Sequence, residues 1–329
     1  AVELALANSP DVQALLAQSW ADMASINQTG RIANPVLSFE RNQSLDEVEL
    51  GRLLSFGLLD LLTLPQRQNV ARNQSAQANI QRSANVVDKV AQVRQAWVRA
   101  VAAEQTAQYA EQVNTAAKAS AELAKRMLQT GNFNKLQRAR QHAVYADAVA
   151  QLALARHGAT AAREELVRQL GLDEKQTALL KLPERLPDLP KTLADMNDVE
   201  ARALRERLDV RTATLESGYV AGSLGMVKAT GFVNALEVSY GRNTTFDNAT
   251  GERETKRGFE LELPLPIFDW GQAKNARAEG VYMQSVAKVR GVAVQARSEA
   301  REAYHGWRTA YDVAKHYRDE IVPLRRFIN

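Results

Sequence analysis

The chain has 329 residues, of which 45% are hydrophobic and 24% are charged, and its formal net charge is +4. This composition is typical of packed structure and excludes wholesale disorder, and the length allows two domains. The basic residues are spread among acidic ones, which argues against nucleic-acid binding, and the absence of cysteine excludes disulfides and thiolate chemistry.

No apolar run approaches the ~20 residues that a membrane-spanning helix needs. The chain begins at Ala1 without a signal-peptide pattern, which is typical of a mature or trimmed chain. Membrane insertion through β-strands is still compatible with this composition, because such strands carry no long apolar run.

The first strong helix signal is Ser9-Pro10-Asp11, which offers a hydroxyl N-cap, a proline at the first helical position and an acid in the first turn. We expect this helix to end near Ile32, because Asn34-Pro35 follows. Alternating apolar and polar residues then predict a β-hairpin at 36–58.

A long helical hairpin is predicted at 65–171, with a turn at Thr130-Gly131-Asn132-Phe133-Asn134 and a return helix at Lys135–Leu170 that Gly171 closes. Two apolar stripes on the first helix, one through Val87 and Val98 and one through Val93 and Trp97, favour packing against two neighbours. A coiled coil with a single seam is the alternative.

Three prolines predict a linker at 173–196 with at most a short helix. A helix at 198–230, a second hairpin at 232–267 and a long helix from Gly271 to Ile321 follow. Pro323 is expected to end that helix.

The two halves share one order of elements, helix, hairpin and long helix, which predicts an internal repeat. The first copy covers 1–172 and the second covers 197–329, with the linker at 173–196 between them. Matching segments such as Leu58-Leu59-Asp60 and Ile267-Phe268-Asp269 fall at equivalent junctions. The second copy is expected to stop before its return helix.

The strands predicted at 232–267 have one apolar and one acidic or small-residue face. A soluble sheet with one wet face would have the same pattern. Four strands per chain cannot close a membrane barrel, and an open sheet edge is prohibitive in lipid. Three copies would supply twelve strands, with the helices continuing as a tube.

That arrangement assigns roles to the two faces. The residues expected to face lipid are Leu236, Val238, Tyr240, Phe259, Leu261 and Leu263. The residues expected to face a water-filled lumen are Glu40, Glu49, Glu237, Glu260 and Glu262. These glutamates either simply wet the lumen or form acidic rings that favour cations.

Several short motifs occur in a fixed order: Asn8-Ser9-Pro10, Asn34-Pro35, Gly131-Asn132-Phe133-Asn134-Lys135-Leu136, Leu170-Gly171 and Leu263-Pro264-Leu265-Pro266-Ile267-Phe268-Asp269-Trp270-Gly271. Each motif is weak alone. In this order, and with the repeat, the whole chain resembles the TolC-like outer-membrane efflux proteins.

The resemblance implies a homotrimer with a β-barrel in the bacterial outer membrane and an α-helical barrel in the periplasm. It also implies a passive duct that docks a periplasmic adaptor (membrane fusion) protein and an inner-membrane pump. The docking tip would comprise Arg126, Gly131, Asn132, Phe133, Asn134 and Leu136; an ordinary interhelical turn is the alternative. The cargo stays open between metal ions, drugs and proteins.

The family has a second helical hairpin, so this chain is expected to contribute three long helices rather than four. No catalytic, metal-binding or cofactor-binding constellation is predicted, because the four histidines lack ligand spacing and no nucleophile motif occurs. The first alternative is a soluble helical coiled-coil scaffold or adaptor. The second alternative is a hydrolase or transferase on a helical scaffold.

Overall fold

The computed structural model describes residues 1–191, 198–231 and 235–328. The predicted fold class, mainly α with antiparallel β-hairpins, is confirmed. The chain forms two compact units. The first comprises Ala1–Gln18, Ala84–Asp195 and Arg308–Asn329, and the second comprises Ser19–Ser83 and Met196–Trp307.

The helices are α1 (Val2–Asn8), α2 (Pro10–Thr29), α3 (Leu58–Gln129), α4 (Lys135–Leu170), α5 (Glu174–Leu179), α6 (Val199–Glu206), α7 (Leu208–Thr230), α8 (Gln272–His316) and α9 (Val322–Ile328), with a π-helical turn at Tyr317–Ile321. The strands are β1 (Val36–Gln43), β2 (Glu47–Gly57), β3 (Glu237–Asp247) and β4 (Arg253–Glu262). No helix within the described ranges has both the length and the apolarity to cross a membrane.

The core of the first unit forms where α1, α3 and α4 meet. Its fully buried residues are small or aliphatic: Ala5, Val93, Ala96, Ala100, Leu166 and Leu170. Alanines let the helix backbones approach closely, while the two leucines fill the remaining space. Of the two stripes predicted on α3, the stripe through Val93 packs into this core, whereas Val87 and Val98 are exposed.

A close contact joins the end of α4 to the start of α2. Gly171 caps α4 in the left-handed conformation, with φ of 66°. A Cβ on Gly171 would lie 2.6 Å from Pro10 Cδ and 2.8 Å from Ser9 Cα, so no larger residue fits. The predicted hydroxyl N-cap at Ser9 is wrong: this contact encloses Ser9, and its Oγ has no hydrogen-bond partner within the described residues.

The second unit contains one antiparallel sheet in the order β1-β2-β3-β4. The two hairpins join through β2 and β3, which pair from Glu47↔Asp247 to Gly57↔Glu237. At the hairpin ends, the N–H of Asn248 donates to the carbonyl of Asp46 over 2.7 Å. The outer strands β1 and β4 are exposed along their whole length.

In both halves, the helix before a hairpin contacts the helix after it. In the first half, Arg67 of α3 donates to the carbonyls of Thr29 and Arg31 and pairs with Asp60 at 2.8 Å. The cation thereby satisfies free carbonyls at a helix C-terminus. In the second half, Gly231 and Gly271 lie in direct backbone contact.

The second hairpin differs from its predicted position at 232–267. Strand β4 begins at Arg253, in the polar segment between the two alternating runs of the predicted hairpin, and ends at Glu262, so Leu263, Leu265 and Ile267 lie beyond it. The reason is that Pro264 and Pro266 lack the N–H that a ladder needs. The predicted residues Phe232, Val233 and Asn234 lie outside the described residues.

Two helix predictions are corrected. The helix expected at 198–230 is split at Arg207, whose ψ of 130° is extended, and the Asp209 side chain accepts from Val210 N at the new start. Pro323 does not end the last helix, because it falls in the first turn of α9, where its missing N–H is tolerated. The predicted linker at 173–196 contains α5, and its residues 192–196 lie outside the described residues.

Candidate functional site

The four-stranded sheet has two chemically different faces. Residues directly opposite each other on paired strands project to the same face, so the register assigns every strand residue to a side. The apolar face carries Leu37, Phe39, Arg41, Gln43, Val48, Leu50, Arg52, Leu54, Phe56, Val238, Tyr240, Arg242, Thr244, Phe246, Arg253, Thr255, Arg257, Phe259 and Leu261. Among these strand residues, all of which the structure describes, no carboxylate occurs.

Seven apolar side chains of this face gather in two neighbouring rows, and four others (Phe39, Val48, Leu50 and Phe246) lie in the remaining rows. One row is Leu37, Leu54, Tyr240 and Phe259, and the next is Phe56, Val238 and Leu261. The rings of Tyr240 and Phe259 pack at 5.2 Å between centroids. Phe259 is nevertheless 84% exposed and Leu261 is 64% exposed, because no other residue that the structure describes covers them.

The opposite face, here called the acidic face, holds the carboxylates of the strands: Glu40, Glu47, Glu49, Glu237, Asp247, Glu254, Glu260 and Glu262. Polar contacts run across it. Ser239 Oγ donates to Ser55 Oγ over 2.8 Å, and Asn243 Nδ2 donates to Glu49 Oε1 over 3.3 Å. Lys256 is the basic residue of this face and pairs with Glu254.

The predicted surface residues sort onto these faces. Val238, Tyr240, Phe259 and Leu261 lie on the apolar face, while the five glutamates expected to face water (Glu40, Glu49, Glu237, Glu260 and Glu262) lie on the acidic face. Leu236 precedes β3 and Leu263 follows β4, so neither is part of a strand. The Leu236 carbonyl accepts hydrogen bonds from the N–H groups of Leu58 and Leu59.

The apolar face also carries five arginines, none of which was predicted as a site residue: Arg41, Arg52, Arg242, Arg253 and Arg257. The alternation in the first hairpin already places Arg41 and Arg52 among apolar residues, whereas Arg242, Arg253 and Arg257 lie outside the alternating runs of the second hairpin. The period of two residues in a strand indicates their position, because Arg242 follows Tyr240 by two residues and Arg257 precedes Phe259 by two residues. Residues 242–257 separate the two alternating runs of the predicted hairpin, and their polar composition is typical of a turn region.

The predicted docking residues lie in and beside the turn between α3 and α4. Gly131 adopts a φ of 82°, and the N–H groups of Asn132 and Phe133 both donate to the Met127 carbonyl. Asn134 and Gln137 form a reciprocal capping box that starts α4. Leu136 is 59% exposed next to this turn, and Arg126 pairs loosely with Glu122 at 3.7 Å.

The helices carry buried or shared ion pairs. In the first unit, Lys89 Nζ donates to Asp11 Oδ2 and Gln169 Oε1. In the second unit, Arg207 donates to Asp209 and Glu299, which holds the pKa of Asp209 below its usual range. Within the described residues, no group of three or more histidine, aspartate or glutamate side chains could hold a metal ion.

Comparisons with known proteins support the same fold. No protein-family description matches the sequence, and no curated protein shows significant sequence similarity to it. The chain superposes on the transmembrane channel CusC with a TM-score of 0.70, at 20% identity over 99% of this chain and 77% of CusC.

Two further channels give the same picture. The outer membrane protein VceC of Vibrio cholerae matches with a TM-score of 0.73, at 17% identity over 93% of this chain and 78% of VceC. The MtrE outer membrane channel of Neisseria gonorrhoeae matches with a TM-score of 0.62, at 17% identity over 99% of this chain and 74% of MtrE. The chain therefore has the fold of these outer-membrane channels, as its resemblance to the TolC-like family predicts.

Proposed function

We propose that this chain is the outer-membrane channel of a tripartite efflux system, a passive exit duct across the outer membrane and periplasm. The observation that carries the proposal is the sheet, whose strands place no carboxylate on one face and eight on the other. A sheet of this kind suits a boundary between lipid and water. The fold shared with outer-membrane channels supports the same conclusion.

The duct requires more than one copy of the chain. Strands β1 and β4 form the two edges of the sheet, and each edge has backbone groups that lipid cannot satisfy. Pairing of β4 from one copy with β1 from the next removes both edges. A homotrimer of twelve strands, with the acidic face lining the lumen, is the arrangement that we propose.

Transport then depends on partners that supply energy and open the duct. We propose that the turn comprising Gly131 to Leu136, with Arg126, docks a periplasmic adaptor protein, which links the duct to an inner-membrane pump. Support comes from the exposure of Leu136 beside a turn that its own hydrogen bonds already hold rigid. A preformed turn loses little conformational entropy when it binds.

The first test is purification in detergent, followed by mass measurement and recording in planar bilayers. The proposal predicts a trimer that requires detergent and produces stable ion-conducting channels. A chain that is monomeric and monodisperse without detergent would contradict the proposal. That outcome would favour a soluble helical scaffold instead.

The docking turn is tested by Leu136→Asp in cells that depend on efflux. The control is Leu154→Asp, because Leu154 lies on the same helix and is similarly exposed at 65%. Leu136→Asp should abolish adaptor crosslinking and efflux while the purified trimer keeps its conductance. Equal efflux in both variants would remove the turn from the proposed interface.

A further inference from the structure

Three arginines lie side by side across the apolar face. Arg52 is directly opposite Arg242, and Arg242 is directly opposite Arg257. Opposed residues on neighbouring strands have Cβ atoms about 4.5–5.5 Å apart. We call these three residues the arginine row.

The arginine row has no countercharge on its own face. The described strands place every carboxylate on the acidic face, and Nε of Arg242 is buried without a hydrogen-bond partner. Like charges directly opposite each other destabilise a sheet, and arginine cannot lose its proton to relieve the repulsion. An external anion bound across the row would remove this cost.

The surroundings of the row indicate what kind of anion fits. Next to it lie the two exposed apolar rows that contain Phe259 and Leu261. A free anion would leave these side chains in water, whereas an amphiphile covers both parts of the surface. Guanidinium groups bind phosphate through paired hydrogen bonds, which favours a phosphate head group.

The position of the row along the strands agrees with such an occupant. Exposed apolar residues continue past the end of β4 through Leu263, Leu265 and Ile267. From Ile267 to Phe259 the chain covers at most about 26 Å at ~3.3 Å per residue, which is close to the apolar band of ~25 Å in a membrane barrel. Arg257 lies just beyond Phe259, on the side of the β3–β4 loop, at the end of this exposed apolar span of β4.

We propose that the arginine row binds the phosphate of a membrane lipid whose acyl chains cover the adjacent apolar rows. This inference rests on the proposed function, because it requires the apolar face to contact lipid. The row would fix the depth at which the sheet sits in the membrane. The bound phosphate would also neutralise the repulsion among Arg52, Arg242 and Arg257.

The experiment is native mass spectrometry of the detergent-purified protein with added dioleoyl phosphatidic acid. Dioleoylglycerol has the same chains without phosphate and is the matched ligand. The wild type should retain phosphatidic acid and lose dioleoylglycerol. The triple variant Arg52→Gln, Arg242→Gln and Arg257→Gln should bind phosphatidic acid on the order of 100-fold more weakly, from the usual contribution of each basic side chain near a membrane.

The control variant is Arg72→Gln, Arg138→Gln and Arg140→Gln, which removes equal charge from exposed helix positions and should bind like the wild type. Unchanged binding by the first triple variant would overturn the proposal. Competition by inorganic phosphate at the same concentration as the lipid would also overturn it, because the site would then take the free ion.

If the first triple variant fails to fold, the comparison of the two lipids on the wild type decides: equal retention overturns the proposal. Channel recordings separate this inference from the proposed function. A conducting trimer that does not prefer phosphatidic acid over dioleoylglycerol would contradict the lipid site and leave the proposed function intact. A protein that forms neither a trimer nor a channel would contradict the proposed function as well.

Discussion

Gly271 lies against Gly231 so closely that a Cβ on Gly271 would overlap the Gly231 carbonyl group. The two residues belong to the junctions on either side of the second hairpin, after α7 and before α8. Gly271 also has a φ of 79°, and its N–H donates to Asp269 Oδ1 over 2.8 Å. The contact therefore fixes where the chain enters and leaves the sheet.

We predict that Gly271→Ala strongly destabilises the protein, because it combines an unfavourable φ with a backbone clash. The matched control is Gly251→Ala, since Gly251 has a similar φ of 76° but open space around its Cβ position. The control should lose about 1–2 kcal/mol, and Gly271→Ala about 3 kcal/mol or more. Thermal unfolding in detergent measures both. Equal losses would mean that the contact with Gly231 is not rigid.

Leu261 tests whether the apolar face contacts lipid. Leu261→Arg should impair membrane assembly, at a cost of about 2–4 kcal/mol near the bilayer midplane. Leu263→Arg is expected to behave similarly if the apolar band continues past β4. Glu260→Arg is the control, because it changes the neighbouring residue on the acidic face. Normal assembly of Leu261→Arg, measured by membrane fractionation, would contradict the assignment.

Glu260 and Glu262 test the acidic face as a channel lining. Reversing both charges to lysine should shift the reversal potential in a salt gradient toward anion preference, because rings of charge set ion selectivity. The double change to glutamine should give an intermediate shift. An unchanged reversal potential for the lysine variant would exclude these residues from the lumen.

Arg207 makes stability depend on pH. Its hydrogen bonds lower the pKa of Asp209, and the pKa of Glu299 is lowered by Gln295 and by Arg207. A lowered carboxylate pKa stabilises the folded state above pH ~4, and this contribution disappears as pH falls through the folded-state pKa.

We therefore predict that Arg207→Gln lowers the unfolding temperature at pH 7 and has a smaller effect at pH 3. The control Arg202→Gln, at an exposed pair with Glu206, should change little at either pH. A loss of stability that is equal at both pH values would assign Arg207 a packing role instead.

Parts of this fold were accessible from the sequence because local signals were strong and consistent. Helix α4 runs from Lys135 to Leu170 because a capping box at Asn134 and a left-handed Gly171 define its ends. The two faces of the sheet follow from the period of two residues, which survives an error of several residues in the strand ends.

Other parts depend on contacts that a sequence does not reveal. Ser9 is a good capping residue by type, but the contact between Gly171 and Pro10 encloses it. The polar residues at 242–247 and 253–257 join strands because β2 and β3 pair along their whole length, which overrides their turn-like composition. The arginine row appears only when the register is known, because its members come from three strands.

The separation of charge between the two faces also protects the protein during folding. If β3 moved by one residue against β2, Asn243 would exchange places with Arg242, and Glu237 would enter the apolar face. Arg242 would then leave the arginine row, and the carboxylates of Glu237 and Asp247 would face lipid. A misaligned sheet would be expelled from the bilayer rather than trapped in it, so the membrane itself selects the correct alignment.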